Sequence, residues 1–375
     1  MRLVCEKNMC TGCMACVDSC PIGAISIIDS INAYNACIND ETCISCNLCN
    51  KVCHVKHPIE GKTPIKWCQG WAADETIRNL GSSGGLASEF ARSFIASGGV
   101  VCTCVYKDGM FGFQFIDTEQ DVYKIAGSKY VKSNPSGAYA QIRDFLRKNI
   151  RVLFIGLPCQ VAALKKVIGL KLGEQLTTVD LICHGTPSPN ILSIYLQQHG
   201  KSIKEIYNIK FREKNTFSVC GQDTKGKNLV PITHKKEMDK YSIAFLNGAC
   251  YTENCYSCRY AKVERISDVT IGDSWGSELD RSEKNRGISL VLCQTEKGLN
   301  LLNSANLKLF DVDLDRAIKS NHQLHSPAEM PRNRNVFLTK LKAGGNFNHL
   351  VWQYFTVKCI KQKVKKYLIM FHLVK

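Results

Sequence analysis

The sequence predicts an α+β chain in two parts. A small cysteine-rich module occupies the first sixty residues, and a larger α/β core with a mixed, partly parallel sheet follows. Three observations predict this. The spacing C-x2-C-x2-C-x3-C occurs twice before residue 60. Beyond residue 60, apolar runs of strand length alternate with runs of helical period. A length of 375 residues, 45% hydrophobic and 22% charged, supports real cores and more than one folding unit.

Cys10, Cys13, Cys16 and Cys20 form the first run, with Pro21 next, and Cys43, Cys46, Cys49 and Cys53 repeat it 33 residues later. This is the bacterial dicluster ferredoxin pattern, in which the fourth cysteine of each run serves the other cluster. Cys10, Cys13, Cys16 and Cys53 are therefore assigned to one 4Fe–4S cluster, and Cys43, Cys46, Cys49 and Cys20 to a second. Gly12 permits the close turn, and Ile22, Ala24, Ile25 and Ile27 suit an apolar wall. His54 stands where the second run would carry proline, and it offers a donor near that cluster. Zinc is the competing reading, but four-cysteine zinc sites use paired C-x2-C units rather than triples with a distant fourth. Cys5 and Cys37 fall outside both runs and read as plain buried thiols.

The 21 cysteines and the net charge of +16 are both unusual. The opening residues Met1-Arg2-Leu3-Val4-Cys5-Glu6-Lys7 carry no apolar signal region, so a cytoplasmic chain with metal-bound cysteines is expected rather than a disulfide scaffold. No apolar run approaches the ~20 residues of a membrane span. Three clusters of about −2 each would cut the basic excess to roughly +10. No nucleic-acid motif is present, and aromatic residues do not interleave with a basic stripe.

In the core, Gly61-Lys62-Thr63-Pro64 reads as a linker and 76–85 as a polar, glycine-rich loop. A helix over 86–96 buries Leu86, Phe90, Phe94 and Ile95, and a strand follows over 100–106. Helix 139–148, strand 151–157, helix 160–168, strand 177–183 and helix 189–198 alternate as in a parallel sheet. Residues 201–250 are more strand-like, and 269–272 is a short strand. Ligands collect at the carboxyl ends of such strands. Cys159 and Cys183 sit at two of them, and Cys255 and Cys258 form a C-x2-C pair. These four could hold a third cluster, with Cys250 or Cys220 able to replace one. The Gly81-Ser82-Ser83-Gly84-Gly85 loop opens a helix and suits a phosphate, although such loops are also ordinary turns.

Taken together, the motifs resemble the family of coenzyme F-420 hydrogenase and dehydrogenase beta subunits over roughly residues 1–320. The resemblance rests on the ferredoxin run, Ser82-Ser83-Gly84-Gly85, Lys129-Tyr130-Val131-Lys132-Ser133 and Gly156-Leu157-Pro158-Cys159-Gln160. It rests too on Cys183-His184-Gly185-Thr186-Pro187-Ser188, Cys255-Tyr256-Ser257-Cys258 and Gly272-Asp273-Ser274-Trp275-Gly276. It implies a flavin-binding core carrying FAD beside a 4Fe–4S cluster at Cys159, Cys183, Cys255 and Cys258. It makes Ser82, Ser83, Gly84, Gly85, Lys129, Ser133, Asp273 and Trp275 candidate flavin contacts. Against this, Lys129 reads equally as a solvated lysine, Asp273 as a cap, Trp275 as core and His184 as structural.

The implied division is a ferredoxin domain over 1–60, family N- and C-terminal regions over 61–150 and 151–345, and a basic amphipathic tail over 346–375. In the tail, Lys358, Lys361, Lys363, Lys365, Lys366 and Lys375 accompany Val357, Ile360, Val364, Leu368 and Phe371 at helical spacing. That helix either lies on an anionic membrane surface or packs its apolar face on the protein. The expected function is an iron–sulfur flavoprotein oxidoreductase linking a ferredoxin-type chain to FAD, with a small substrate or a deazaflavin at the end. A ferredoxin, or a subunit of a hydrogenase or dehydrogenase, would be its redox partner. The alternative is an electron-transfer adaptor serving a separate catalytic partner, for instance in surface-polysaccharide biosynthesis.

Overall fold

The computed structural model describes residues 2–230 and 238–370. In the first sixty residues, strands Ile25–Asp29 and Tyr34–Ile38 form an antiparallel hairpin, and Arg2–Leu3 adds to its outer edge. Two one-turn helices, Ala15–Asp18 and Leu48–Lys51, follow the two cysteine loops. Each begins from a left-handed residue, Met14 and Asn47, which turns the chain from loop to helix.

The core is built on an eight-stranded mixed sheet. Its centre is parallel, running Val100–Lys107, Val152–Gly156, Leu176–Leu181 and Val269–Asp273. Antiparallel strands close both sides. Met110–Ile116 flanks one edge, and Ser289–Cys293, Lys66–Ala72 and Leu307–Phe310 complete the other. The central strands Val152–Gly156 and Ser289–Cys293 are buried throughout, as expected of strands covered on both faces. Helices Leu86–Ala96, Ala138–Arg147 and Pro158–Ile168 supply that cover, with Leu86, Phe90, Phe94 and Ile95 inward. A second, three-stranded sheet of Asn208–Glu213, Thr216–Gln222 and Asn228–Val230 lies in the 201–250 region, followed by helix Lys240–Leu246.

Two expectations change. Half of the loop expected over 76–85 is a helix, Glu75–Leu80. Asp74 caps it by accepting from the Thr76 and Ile77 N–H groups, and Arg78 is fully buried. A one-turn helix with a buried arginine has no apolar period to betray it. Cys183 lies two residues beyond its strand, Leu176–Leu181, on the loop rather than on the sheet.

The chain ends in helices Phe347–Tyr354 and Thr356–Met370. Phe347, Leu350 and Val351 join the core, so the tail is anchored from its start. In the last helix Cys359 is buried, whereas Val357, Ile360 and Val364 are 64%, 47% and 50% exposed. The expectation for Phe371 and Lys375 lies outside the described residues. No described helix is long and apolar enough to cross a membrane.

The cysteine-rich module is fastened to the core at several points. Asp18 Oδ1 accepts from the Gly137 N–H at 2.8 Å, and Asp29 Oδ2 accepts from Ser188 Oγ and Asn190 Nδ2. Buried Arg334 donates to the Asn32 carbonyl at 2.8 Å. Ala15 packs in one apolar cluster with Tyr139, Phe154 and Val161.

Candidate functional site

The first four-cysteine set forms as the crossing pattern requires. Cys10, Cys13 and Cys16 come from the first loop, and Cys53 arrives after helix Leu48–Lys51. All four line one cavity of about 320 Å³, walled by Val4, Ala15, Ile27, Ala36 and Val55. Gly12 sits at φ +69°, where an added Cβ would meet the Tyr34 ring at 2.6 Å. The Gly12 N–H points at Cys10 Sγ, 3.4 Å away. Burial pushes the Cys13 thiol up to about 12. Cys5 is not a bystander: it lines the same cavity, and its thiol hydrogen-bonds toward Cys10 and Cys53. That bond is the main cause holding Cys53 down, at about 6.

The second set lies nearer the surface. Cys49 is surrounded by Cys43, Cys46 and Cys20, whose charges push it up after burial has done so. Cys46 is exposed, and Ile44 beside it is 61% exposed. Backbone N–H groups of Ala24 and Ser45 point at Cys20 Sγ and Cys43 Sγ, at 3.2 and 3.4 Å. Arg2 Nη2 stands 3.3 Å from Cys43 Sγ.

The third set is assembled from three places. Cys159 opens helix Pro158–Ile168, directly after strand Val152–Gly156. Cys183 follows strand Leu176–Leu181, and Cys255 and Cys258 lie in and just after the turn Glu253–Ser257. All four line one cavity of about 780 Å³. Burial pushes Cys183 up to about 12, with Cys255 and Cys258 as charged neighbours. Cys159 is likewise raised by burial, and its neighbours include Cys183, Cys258 and, from the first set, Cys13. Neither Cys250 nor Cys220 lines this cavity: Cys250 is fully buried in the apolar core, and Cys220 lies on strand Thr216–Gln222.

Among the described residues, no three His, Cys, Asp or Glu side chains are grouped so as to hold a single metal ion. The thiols instead come in sets of four, and the first and third sets each line one cavity. Four cysteine sulfurs per set and backbone N–H groups aimed at sulfur make these donor sets fit 4Fe–4S clusters.

The first and third sets meet across His54 and Tyr260. His54 Nδ1 and the Tyr260 hydroxyl are 2.8 Å apart, and Nε2 faces Thr11 Oγ1 at 3.0 Å. Both residues line the larger cavity. Burial holds His54 down at about 4, so its ring is neutral at pH 7. His184 lines the same cavity.

The expected flavin contacts are arranged differently from expectation. Lys129 Nζ donates to the Ile125 and Ala126 carbonyls at 2.7 and 3.2 Å, so it is neither a solvated lysine nor free for a phosphate. Those carbonyls close the turn Glu119–Ile125 and capture the ammonium. Ser82 Oγ accepts from the Ser128 N–H, Ser83 Oγ donates to the Ile288 carbonyl, and the Gly84 N–H donates to Ser289 Oγ. Gly84 packs against the sheet, where a Cβ would meet the Gly70 carbonyl oxygen at 2.5 Å, and Gly85 starts the helix at φ +83°. Ser133 Oγ accepts from Gln160 Nε2 at 3.0 Å. Asp273 is neither a cap nor free, since Arg212 grips both its oxygens at 2.5 and 2.9 Å. Trp275 is 37% exposed rather than core, with the Arg212 guanidinium 5.5 Å from its ring.

Two cations that the sequence pattern does not single out, Arg212 and Lys214, shape this face. Lys214 Nζ reaches the Arg78, Gly81 and Ser83 carbonyls, clamping the glycine-rich loop. Burial, then Arg78, Arg212 and Arg286, hold it down at about 8. The side chains of Ser82, Ser83, Lys129 and Ser133 each hold a partner within the chain.

The 4Fe-4S dicluster domain model matches residues 9–57. Models for the coenzyme F420 hydrogenase/dehydrogenase beta subunit match at residues 67–138 for the N-terminal part and 150–311 for the C-terminal part. One subunit of the F(420)H(2) dehydrogenase of Methanosarcina mazei is 24% identical over 302 residues, covering 75% of this chain and 81% of that one. The coenzyme F420-dependent sulfite reductase of Methanocaldococcus jannaschii is 23% identical over 351 residues, covering 84% of this chain and 52% of that protein, so the chain spans about half of its length. A chain of the F420-reducing NiFe hydrogenase complex from Methanosarcina barkeri aligns with a TM-score of 0.48 and 18% identity, over 77% of this chain and 95% of that one. With a dicluster domain ahead of both halves of the beta-subunit model, the chain belongs to the family of coenzyme F420 hydrogenase/dehydrogenase beta subunits.

Proposed function

We propose that the chain is an iron–sulfur oxidoreductase subunit that carries electrons between a redox partner protein and a two-electron carrier of the flavin or deazaflavin class. The observation that carries this reading is the order of three thiol sets. The second set lies at the surface, the first is buried behind it, and the third is in the core with Cys159 beside Cys13. When bound, 4Fe–4S clusters supply one-electron steps, and FAD joins these to two-electron chemistry.

The residues of the chain do the placing. Cys43, Cys46, Cys49 and Cys20 would hold the cluster that a partner meets first, beside the exposed Ile44 and Leu48. Cys10, Cys13, Cys16 and Cys53 would hold the next, and Cys159, Cys183, Cys255 and Cys258 the third. His54 and Tyr260 close the wall between these last two and exclude water from it. FAD enters from the family resemblance, and the 37% exposed Trp275 ring is the candidate contact open to meet it. Two relatives named for coenzyme F420 chemistry support that coenzyme as the carrier. The exposed Val357, Ile360 and Val364 beside Lys358, Lys361 and Lys363 support peripheral membrane contact through the last helix.

Anaerobically purified or reconstituted chain should bind about twelve iron and twelve sulfide, and Cys255→Ala about eight of each. Zinc without sulfide would overturn the cluster reading. Full iron with no retained FAD would leave an electron-transfer subunit without its own flavin.

A further inference from the structure

Lys132 is 5% exposed, on a segment between buried Val131 and Ser133. Its N–H is fixed to the Pro187 carbonyl at 2.9 Å. Its side chain crosses into the cysteine-rich module, where Nζ donates to the Thr11 carbonyl at 3.0 Å and stands 5.3 Å from the Tyr34 ring centre. The stem passes the Gly12 turn so closely that an added Cβ there would meet Lys132 Cδ at 3.0 Å. Among the described residues, no carboxylate pairs with it: its partners are one carbonyl and one ring. A buried ammonium without an anion is costly, so such a group is kept where negative charge will face it.

The groups that face it are cysteine sulfurs, which a bound cluster would hold as thiolates. The Lys132 ammonium favours the charged form of Cys10 in the first set, and of Cys159 and Cys183 in the third. Lys132 lines the cavity of the third set, and Thr11, which holds it, lines both cavities. Lys132 is not among the groups that act on Cys49 of the second set; those are Asn50, Cys43, Cys46 and Cys20.

We propose that Lys132 is a counter-charge shared by the first and third cysteine sites, raising the reduction potential of the groups held at both and leaving the second site largely unaffected. This rests on the cluster reading above. Reduction adds one negative charge, and a fixed cation between two sites favours that charge at either. It thereby moves the two potentials together. Lys132 acts as a positioning charge and is not itself a ligand.

The test is redox titration of the anaerobically loaded chain, with the clusters followed by electron paramagnetic resonance, in Lys132→Met, Lys132→Gln and Lys132→Arg. Loss of one unit charge across a short stretch of protein interior should lower the reduced-to-oxidised ratio of the first and third clusters about tenfold at fixed potential, a shift of about 59 mV for one electron. Lys132→Gln keeps a donor for the Thr11 carbonyl but no charge, so it should shift both as Lys132→Met does. Lys132→Arg should stay near wild type. If Lys132→Met loads poorly, Lys132→Gln carries the measurement. Unchanged potentials in a fully loaded Lys132→Gln variant would overturn the proposal, as would equal shifts of all three clusters. Wild-type chain that takes up neither iron nor sulfide would instead overturn the cluster reading, and this inference with it.

Discussion

Replacing Tyr260 by Phe tests the contact where the cysteine-rich module meets the core. The phenol oxygen lies 2.8 Å from His54 Nδ1, and the two ring centroids are 5.6 Å apart. His54 is neutral at pH 7, so one ring nitrogen must accept while the other donates. Phenylalanine keeps the ring packing and deletes only the hydroxyl. His54 is 2% exposed, so water has no route to the orphaned nitrogen. A buried polar group left without a partner costs about 1–3 kcal/mol. In a chain of this size, each kcal/mol lowers Tm by about 2–4 °C or less, so a fall of a few degrees is expected. The assay is thermal unfolding of the loaded chain, with trypsin cleavage near Lys56 and Lys62 as the local readout. A double-mutant cycle with His54→Leu isolates the pair and should return a coupling of about 1 kcal/mol. Strict additivity in that cycle would refute the claim that His54 and Tyr260 hold the two parts together.

Arg265 and Asp180 form a buried pair, with Nη2 and Oδ1 3.0 Å apart and side chains 1% and 0% exposed. Arg265→Met should cost about 3–5 kcal/mol in denaturant unfolding, because Asp180 is left charged and buried; adding Asp180→Leu should recover part of that loss. Lys214 is held down at about 8, whereas an unfolded lysine titrates near 10.4. Between those values the unfolded chain binds the extra proton, so wild type gains stability as pH rises from 8 to 10.4. Lys214→Met lacks that gain, so its Tm deficit should widen between pH 7.5 and 9.5, and parallel profiles would contradict the assignment. Gly84→Ala puts a Cβ 2.5 Å from the Gly70 carbonyl oxygen and should destabilise by about 1–3 kcal/mol in the same denaturant assay.

The ferredoxin-like assignment was legible because cluster geometry is written in local spacing: three closely spaced cysteines and a fourth just beyond a short helix. The parallel centre of the sheet was legible because Val152–Gly156 and its neighbours are continuous apolar runs. Helix Glu75–Leu80 was not, since it is one turn long and is fixed by a cap and by Arg78, buried against Trp71 with its guanidinium 4.1 Å from the ring. The fates of Lys129, Ser82 and Ser83 were equally hidden. Each reads as a free polar group in the sequence, and each is claimed by a backbone partner that only the folded chain brings near.

Charge was the least legible property. A net +16 suggests an external anion, yet several of the cations are internal. Arg78, Arg265 and Arg334 are fully buried; Arg265 and Arg334 are held by carbonyls, an aromatic ring or a carboxylate, and Arg78 pairs with Glu283 through Nη2 and lies over Trp71 while its Nε and Nη1 have no hydrogen-bond partner. Lys132 differs from them in what its charge reaches: Cys10 of the first set and Cys159 of the third. Composition counts these four residues alike. What separates three structural cations from one that faces the electron path is which side chains the crossing of the two modules places beside it. That crossing follows from where Cys53 must reach and from where strands Val152–Gly156 and Leu176–Leu181 end.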